Sequence, residues 1–219
     1  MHDPFELFYD LVRNRRSVRS WADEAVPRAD LERMVDCARM APSDTNAQPW
    51  HFTVVSDRTL IRRLEAVTRE RFAGMAERLA AEGRRELGRK LRVFEKYAAH
   101  FGDAPALVVV SGEPYDSRFM REVFMEVLEP AAVERLKQEE SIKSTALAAM
   151  NLLLAAHALG YGAVPMTGPI LAIPEELKAL LRLPPGFEAH LVVALGRQGA
   201  RAAAPVPRKE LAAITTWIE

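Results

Sequence analysis

The 219 residues contain a single cysteine, Cys37. No disulfide can form within one chain, and that usage fits a reducing cytoplasm. Nor is there an excess of charge of one sign: 30 Lys and Arg balance 30 Asp and Glu. Nucleic-acid binders usually carry a basic surplus, so no such partner is expected. Long apolar runs are missing too. The most apolar stretch, Ala146 to Ala158, is too short to span a bilayer and contains His157. Met1 to Pro4 show no basic region leading into an apolar signal stretch. These absences predict a cytoplasmic protein with no membrane partner. Several motifs are also lacking. No G-x-G-x-x-G follows a strand pattern, and no phosphate-loop sequence occurs. The five histidines and one cysteine have no zinc-like spacing. Ser43 and Ser141 lack a nucleophile-elbow context. Dinucleotide-fingerprint enzymes, metal hydrolases and triad hydrolases are all disfavoured.

What is present is ordinary globular composition, 49% hydrophobic and 27% charged, in a length that suits one sizeable core. A single domain over residues 1–219 is expected. Asp3-Pro4 reads as a helix N-cap and first turn, with Phe5, Phe8, Leu11 and Val12 on one face. Pro27 opens a second helix, with Leu31, Met34, Val35 and Ala38 in helical register, and Pro42 is expected to end it. His51 to Ser56 and Ala106 to Ser111 read as strands, the second buried. Residues 57–101 are helical in pattern, with Gly74, Gly83 and Gly88 as soft breaks. Residues 116–137 read as a mobile helical excursion. Ser141 to Leu159 predicts a central helix stopped by Gly160 and Gly162. Pro174 to Leu181 reads as a helix and His190 to Leu195 as a strand. The chain ends in an apolar group, Ile214, Trp217 and Ile218. Few, short strands separated by helices predict α+β.

Two blocks carry chemistry. Arg15-Arg16-Ser17-Val18-Arg19 masses guanidinium groups and a hydroxyl, which together suit a phosphate. On spacing alone a solvated charge run at a helix end is the commoner use of such a cluster, and the second block reverses that balance. Ala41 to Trp50 is a Pro-bounded loop in which Ser43, Thr45, Asn46 and Gln48 supply donors and acceptors for the edge of a heterocycle. A helix-to-strand turn would select similar residues. Trp50 reads as core.

These blocks resemble the R-R-S-x-R and A-P-S-x-x-N-x-Q-P-W-x-F motifs of the FMN-dependent nitroreductase family, standing here at Arg15 to Arg19 and Ala41 to Phe52. The helix between them, the Ser144 to Gly162 stretch, Pro165-Met166-Thr167-Gly168 and Leu195-Gly196 with Pro207-Arg208-Lys209 are similar as well. Residues 57–104 and 113–140 lie outside the resemblance. It implies a small, mostly antiparallel sheet surrounded by helices, and a homodimer that exchanges its C-terminal arm. It implies FMN as cofactor, with Arg15, Arg16, Ser17, Arg19 and Arg208 around the phosphate and ring. Pro42, Ser43 and Asn46 would reach the FMN held mainly by the other subunit. Pro165 and Met166 would lead into a backbone turn at which Thr167 and Gly168 face the flavin N5 region. The implied activity takes hydride from NAD(P)H and reduces a small-molecule acceptor such as a nitroaromatic or quinone by ping-pong exchange. No side-chain catalytic base and no metal is implied. Dehalogenation, flavin fragmentation and non-catalytic flavin binding are the alternatives.

Overall fold

In the computed structural model, which describes residues 3–200 and 206–219, the fold is built on one four-stranded sheet. Strands β1 (Trp50–Val55), β2 (Ala106–Gly112), β3 (Gly162–Met166) and β4 (Glu188–Gly196) lie in the order β1-β2-β4-β3. Every neighbouring pair is antiparallel. The α+β expectation holds, and the sheet is as small as the resemblance implies. Strand β2 is buried along its whole length because it is central and covered on both faces. Its alternate residues serve different cores. Leu107 and Val109 face Ile61, Leu64, Phe72, Ile173 and Leu177, while Ala106, Val108 and Val110 face Leu31, Met34, Ala149, Leu152 and Leu153. A period-two strand between two helical layers requires this division.

The first layer comes from α3 (Arg58–Ala81), α4 (Arg85–Ala98), α7 (Gly168–Ala172) and α8 (Pro174–Leu181). The second comes from α2 (Arg28–Ala38) and the long α6 (Pro130–Ala158). Helix α1 (Pro4–Asn14) starts at Asp3, whose carboxylate accepts from the Phe5 amide at 2.9 Å. None of its residues is buried, and the apolar face read from the sequence leaves Phe5, Phe8 and Val12 exposed.

Four local expectations are corrected. Helix α2 ends at Ala38, before Pro42 can act. Its end unwinds through two short-range bonds, Met40 N–H to the Cys37 carbonyl and Ala41 N–H to the Ala38 carbonyl. Gly74 and Gly88 do not break helices, whereas Gly83, at φ 80°, does. Gly88 lies inside α4 against α3, where an added Cβ would sit 2.7 Å from the Ala76 carbonyl oxygen. Helix α6 begins at Pro130, eleven residues before the expected Ser141. The excursion is therefore shorter: a turn of π-helix (Met120–Phe124) and the single turn α5 (Met125–Val127), packed on a small core of Tyr115, Met120 and Val133. Finally, Pro165 and Met166 belong to β3, a strand absent from the sequence reading. Pro165 fits there because β3 is an edge strand and its missing N–H leaves no ladder bond unmade.

Candidate functional site

Helix α1 stops at Arg15, whose backbone turns extended at ψ 131°. The next residues run along the free edge of β3. Ser17 bridges Ala163 in parallel, and the Val18 amide donates to the Ala163 carbonyl at 3.2 Å. Close contact requires glycine at 162, since a Cβ there would lie 2.5 Å from a Val18 methyl. Trp21 Nε1 donates to the Gly162 carbonyl at 3.3 Å, and Gly199 and Ala22 exchange backbone bonds with Ser20 and Arg197. The block is thus sewn into the sheet edge by groups more than 140 positions away.

The cations in this block differ in what they do. The Arg16 guanidinium donates to the Arg13 carbonyl at 2.5 Å and to the Arg15 carbonyl at 2.9 Å, capping the end of α1. Arg15 is half-buried, and its Nη1 is fully covered with no hydrogen-bond partner among the described residues. Burial first, then the charges of Arg208 and Arg16, push the Arg15 pKa below its usual value. Arg208 is exposed, its other contacts being weak bonds to the carbonyls of residues 206 and 207. An orphaned buried donor beside two like charges is a site shaped for an anion. Arg19 is exposed, and His100 Nε2 lies 2.8 Å from its carbonyl oxygen.

Two members of this region escaped sequence reading. His157, near the end of α6, has its pKa lowered by burial and then by Arg15 and Arg16. Its only sequence signal is a histidine inside an apolar helix. His100 gives none, because the bond to Arg19 spans 81 positions. At the far end of β3, Met166 is buried and Pro165 half-buried. Thr167 is exposed at the N-terminus of α7, and Gly168 is packed against Ala98 at the end of α4. The expected turn is therefore the two-residue step from β3 into α7.

The second block lies elsewhere. Pro42, Ser43 and Asn46 precede β1, at the opposite edge of the sheet from β3. The registers also put Trp50 level with Gly112 and Glu188, whereas Ala163 is level with Leu195 and Ala106, one residue beyond the Leu107–Val55 pair. The two blocks thus occupy diagonal corners, separated by about 14 Å across three strand spacings and about 20 Å along the strands. One protomer does not bring them together. Within the loop, Thr45, Asn46 and Gln48 all have positive φ, at 47°, 55° and 50°. For a β-branched residue this is a steric outlier costing about 1–2 kcal/mol. The Ser43 hydroxyl accepts from the Gln48 amide at 2.9 Å, and its own proton remains free to donate outward.

A small antiparallel sheet between helical layers, with a cation cluster sewn to its edge strand, defines the nitroreductase-like class of α+β folds. The Nitroreductase family model matches residues 12–197, and the chain belongs to that family. It is similar to an NADH dehydrogenase of Thermus thermophilus, with 29% identity over 222 residues that cover 93% of this chain and 92% of that protein. Its fold matches a BluB-like flavoprotein of Clostridium difficile 630 with a TM-score of 0.82 and 25% identity, over 97% and 99% of the two chains. It also matches an oxidised iodotyrosine deiodinase bound to FMN and 3-iodo-L-tyrosine, with a TM-score of 0.67 and 26% identity, over 96% and 98%.

Proposed function

We propose that the chain is an FMN-dependent oxidoreductase that takes hydride from NAD(P)H and passes two electrons to nitroaromatic, quinone or related acceptors. The observation that carries this reading is the buried Nη1 of Arg15, without a partner among the described residues and within the field of the Arg208 charge. A forked guanidinium matches a terminal phosphate, and two cations offset its double charge. The FMN held by the deiodinase of the same fold has one such phosphate. Bound FMN supplies the hydride acceptance and release that no side chain here can perform.

The chain's own residues bind, orient and tune. Arg15 and Arg208 hold the phosphate, and Ser17 adds a neutral donor. Arg16 contributes mainly by fixing the end of α1. Arg19 extends towards the pyrimidine side, where its charge stabilises the anionic reduced ring. Pro165 and Met166 form the wall leading to the Thr167 and Gly168 amides, which are assigned to the N5 side. Pro42, Ser43 and Asn46 come from the second protomer of a two-fold dimer, since diagonal corners of one sheet can meet only across a symmetry axis. The exposed apolar residues of α1 and of the tail suit that interface.

A second reading within the family is reductive dehalogenation, favoured by the likeness to the iodotyrosine-bound deiodinase. One set of assays separates the two. Purified protein should be yellow and release FMN on heating, identified by mass. NADH or NADPH oxidation should then accelerate with a nitroaromatic or quinone and stay slow with 3-iodotyrosine. The opposite acceptor preference favours dehalogenation. Release of FAD alone, or no flavin after reconstitution, overturns the cofactor assignment.

A further inference from the structure

The second block keeps its shape through a residue outside both motifs. Three non-glycine residues with positive φ within four positions need restraint, and Thr45 needs it most because its branched Cβ opposes that conformation. Local backbone bonds tie Asn46 to Ser43 and Ala47 to Asp44. Neither restrains the Thr45 side chain. Among the described residues the Thr45 hydroxyl has one side-chain partner, the Tyr115 phenol, at 3.1 Å. Tyr115 is only 4% exposed and is itself fixed. Its amide donates to the Lys137 carbonyl on α6 at 2.9 Å, and its ring packs with Met120 and Val133 beneath the π-helical turn. The segment that follows β2 therefore meets the loop that precedes β1 twice: the Glu113 amide donates to the Pro49 carbonyl at 3.0 Å at the loop's end, and the phenol reaches the Thr45 side chain within it.

We propose that Tyr115 is a positioning residue: its phenol holds Thr45 in the left-handed conformation and so fixes the loop that presents Ser43 and Asn46. This rests on the flavin reading of that loop. The geometry ties the only π-helical turn among the described residues to the second block. Anything that shifts residues 115–128, such as an acceptor packed against the exposed Phe119 and Met125, then alters the loop's grip on the cofactor.

The test is a double-mutant cycle between Tyr115→Phe, which removes only the hydroxyl, and Thr45→Gly, which adopts positive φ without steric cost. FMN affinity is read by fluorescence titration, and amide exchange of residues 43–49 is read in the flavin-free protein. Tyr115→Phe should weaken FMN about three- to tenfold, as for one neutral hydrogen bond, and should speed exchange across the loop. In the Thr45→Gly background the same change should alter neither. Equal effects of Tyr115→Phe in both backgrounds, or none with Thr45, overturn the proposal. If the unsubstituted protein takes no FMN, the flavin reading fails by itself, and the exchange rates still decide the tether. Thermal unfolding of each variant separates a loosened loop, which leaves the midpoint within a degree or two, from general destabilisation.

Discussion

At the scale of single residues, Arg15 and Arg16 are adjacent cations with different tasks. Arg16 is satisfied by carbonyls at the end of α1, whereas Arg15 holds a covered donor without a partner among the described residues. Arg15→Ala should therefore weaken FMN by about 2 kcal/mol, the low end for truncating a buried charged partner, because the residue is only half-buried. Arg16→Ala should change FMN affinity less than about threefold, because its guanidinium is already engaged by the Arg13 and Arg15 carbonyls, yet loosen the first helix. Equilibrium titration of both variants checks the contrast, and equal losses would erase the distinction. The sequence shows two arginines side by side and cannot show this division. It depends on where α1 stops and which carbonyls are left open there. Block one stood out only through its motif resemblance, because a short basic run by itself also suits a solvated helix end. His157 and His100 did not stand out, since each joins the region only through tertiary contact.

At the scale of elements, strands and capped helices were the legible part. β1, β2 and α8 fall close to where β-branching, proline and apolar periodicity put them. Strand β3 was missed because five residues with a glycine and a proline look like a loop until β4 pairs with them. The first third of α6 was missed because its charged turns show no apolar stripe. A polar contact between α6 and β4 has a measurable signature. His190 Nδ1 lies 2.8 Å from the Thr145 hydroxyl, and the buried Ser141 hydroxyl close by has no partner among the described residues. Burial, the larger influence, outweighs the opposing charge of Glu188 and holds the His190 pKa below the usual 6.5. A group with a depressed histidine pKa binds fewer protons folded than unfolded, so stability rises with pH across that interval. Its contribution is complete above about 6.5 and is lost as pH falls through the folded value. Urea unfolding between pH 7.5 and 5 should show this loss, and His190→Gln should flatten it. An unchanged pH slope in that variant would remove His190 as the cause.

At the scale of the whole molecule, the described tail does not fold back on its own core. Ile214, Trp217 and Ile218 remain 63%, 77% and 95% exposed, and Phe5 and Phe8 of α1 are exposed as well. Large apolar side chains left this exposed are what a protein interface would cover. Deleting residues 210–219 should shift sedimentation from dimer to monomer, and flavin should be lost with the partner's Ser43 and Asn46. A full-length monomer that still holds FMN would break the shared-site arrangement. None of the described helices is long and apolar enough to cross a membrane.

The stitch between Val18 and Ala163 also sets a schedule for synthesis. The ribosome releases the cation block early, but its receiving strand emerges about 145 residues later. At roughly 5–20 residues per second, the block waits about 7 to 30 seconds of translation for its receiving strand. During that time Arg15 to Arg19 have no edge to line, and the nascent chain has no place for a phosphate. On the proposed function, cofactor capture then follows synthesis of β3, and binding of FMN reports that this edge strand is in place.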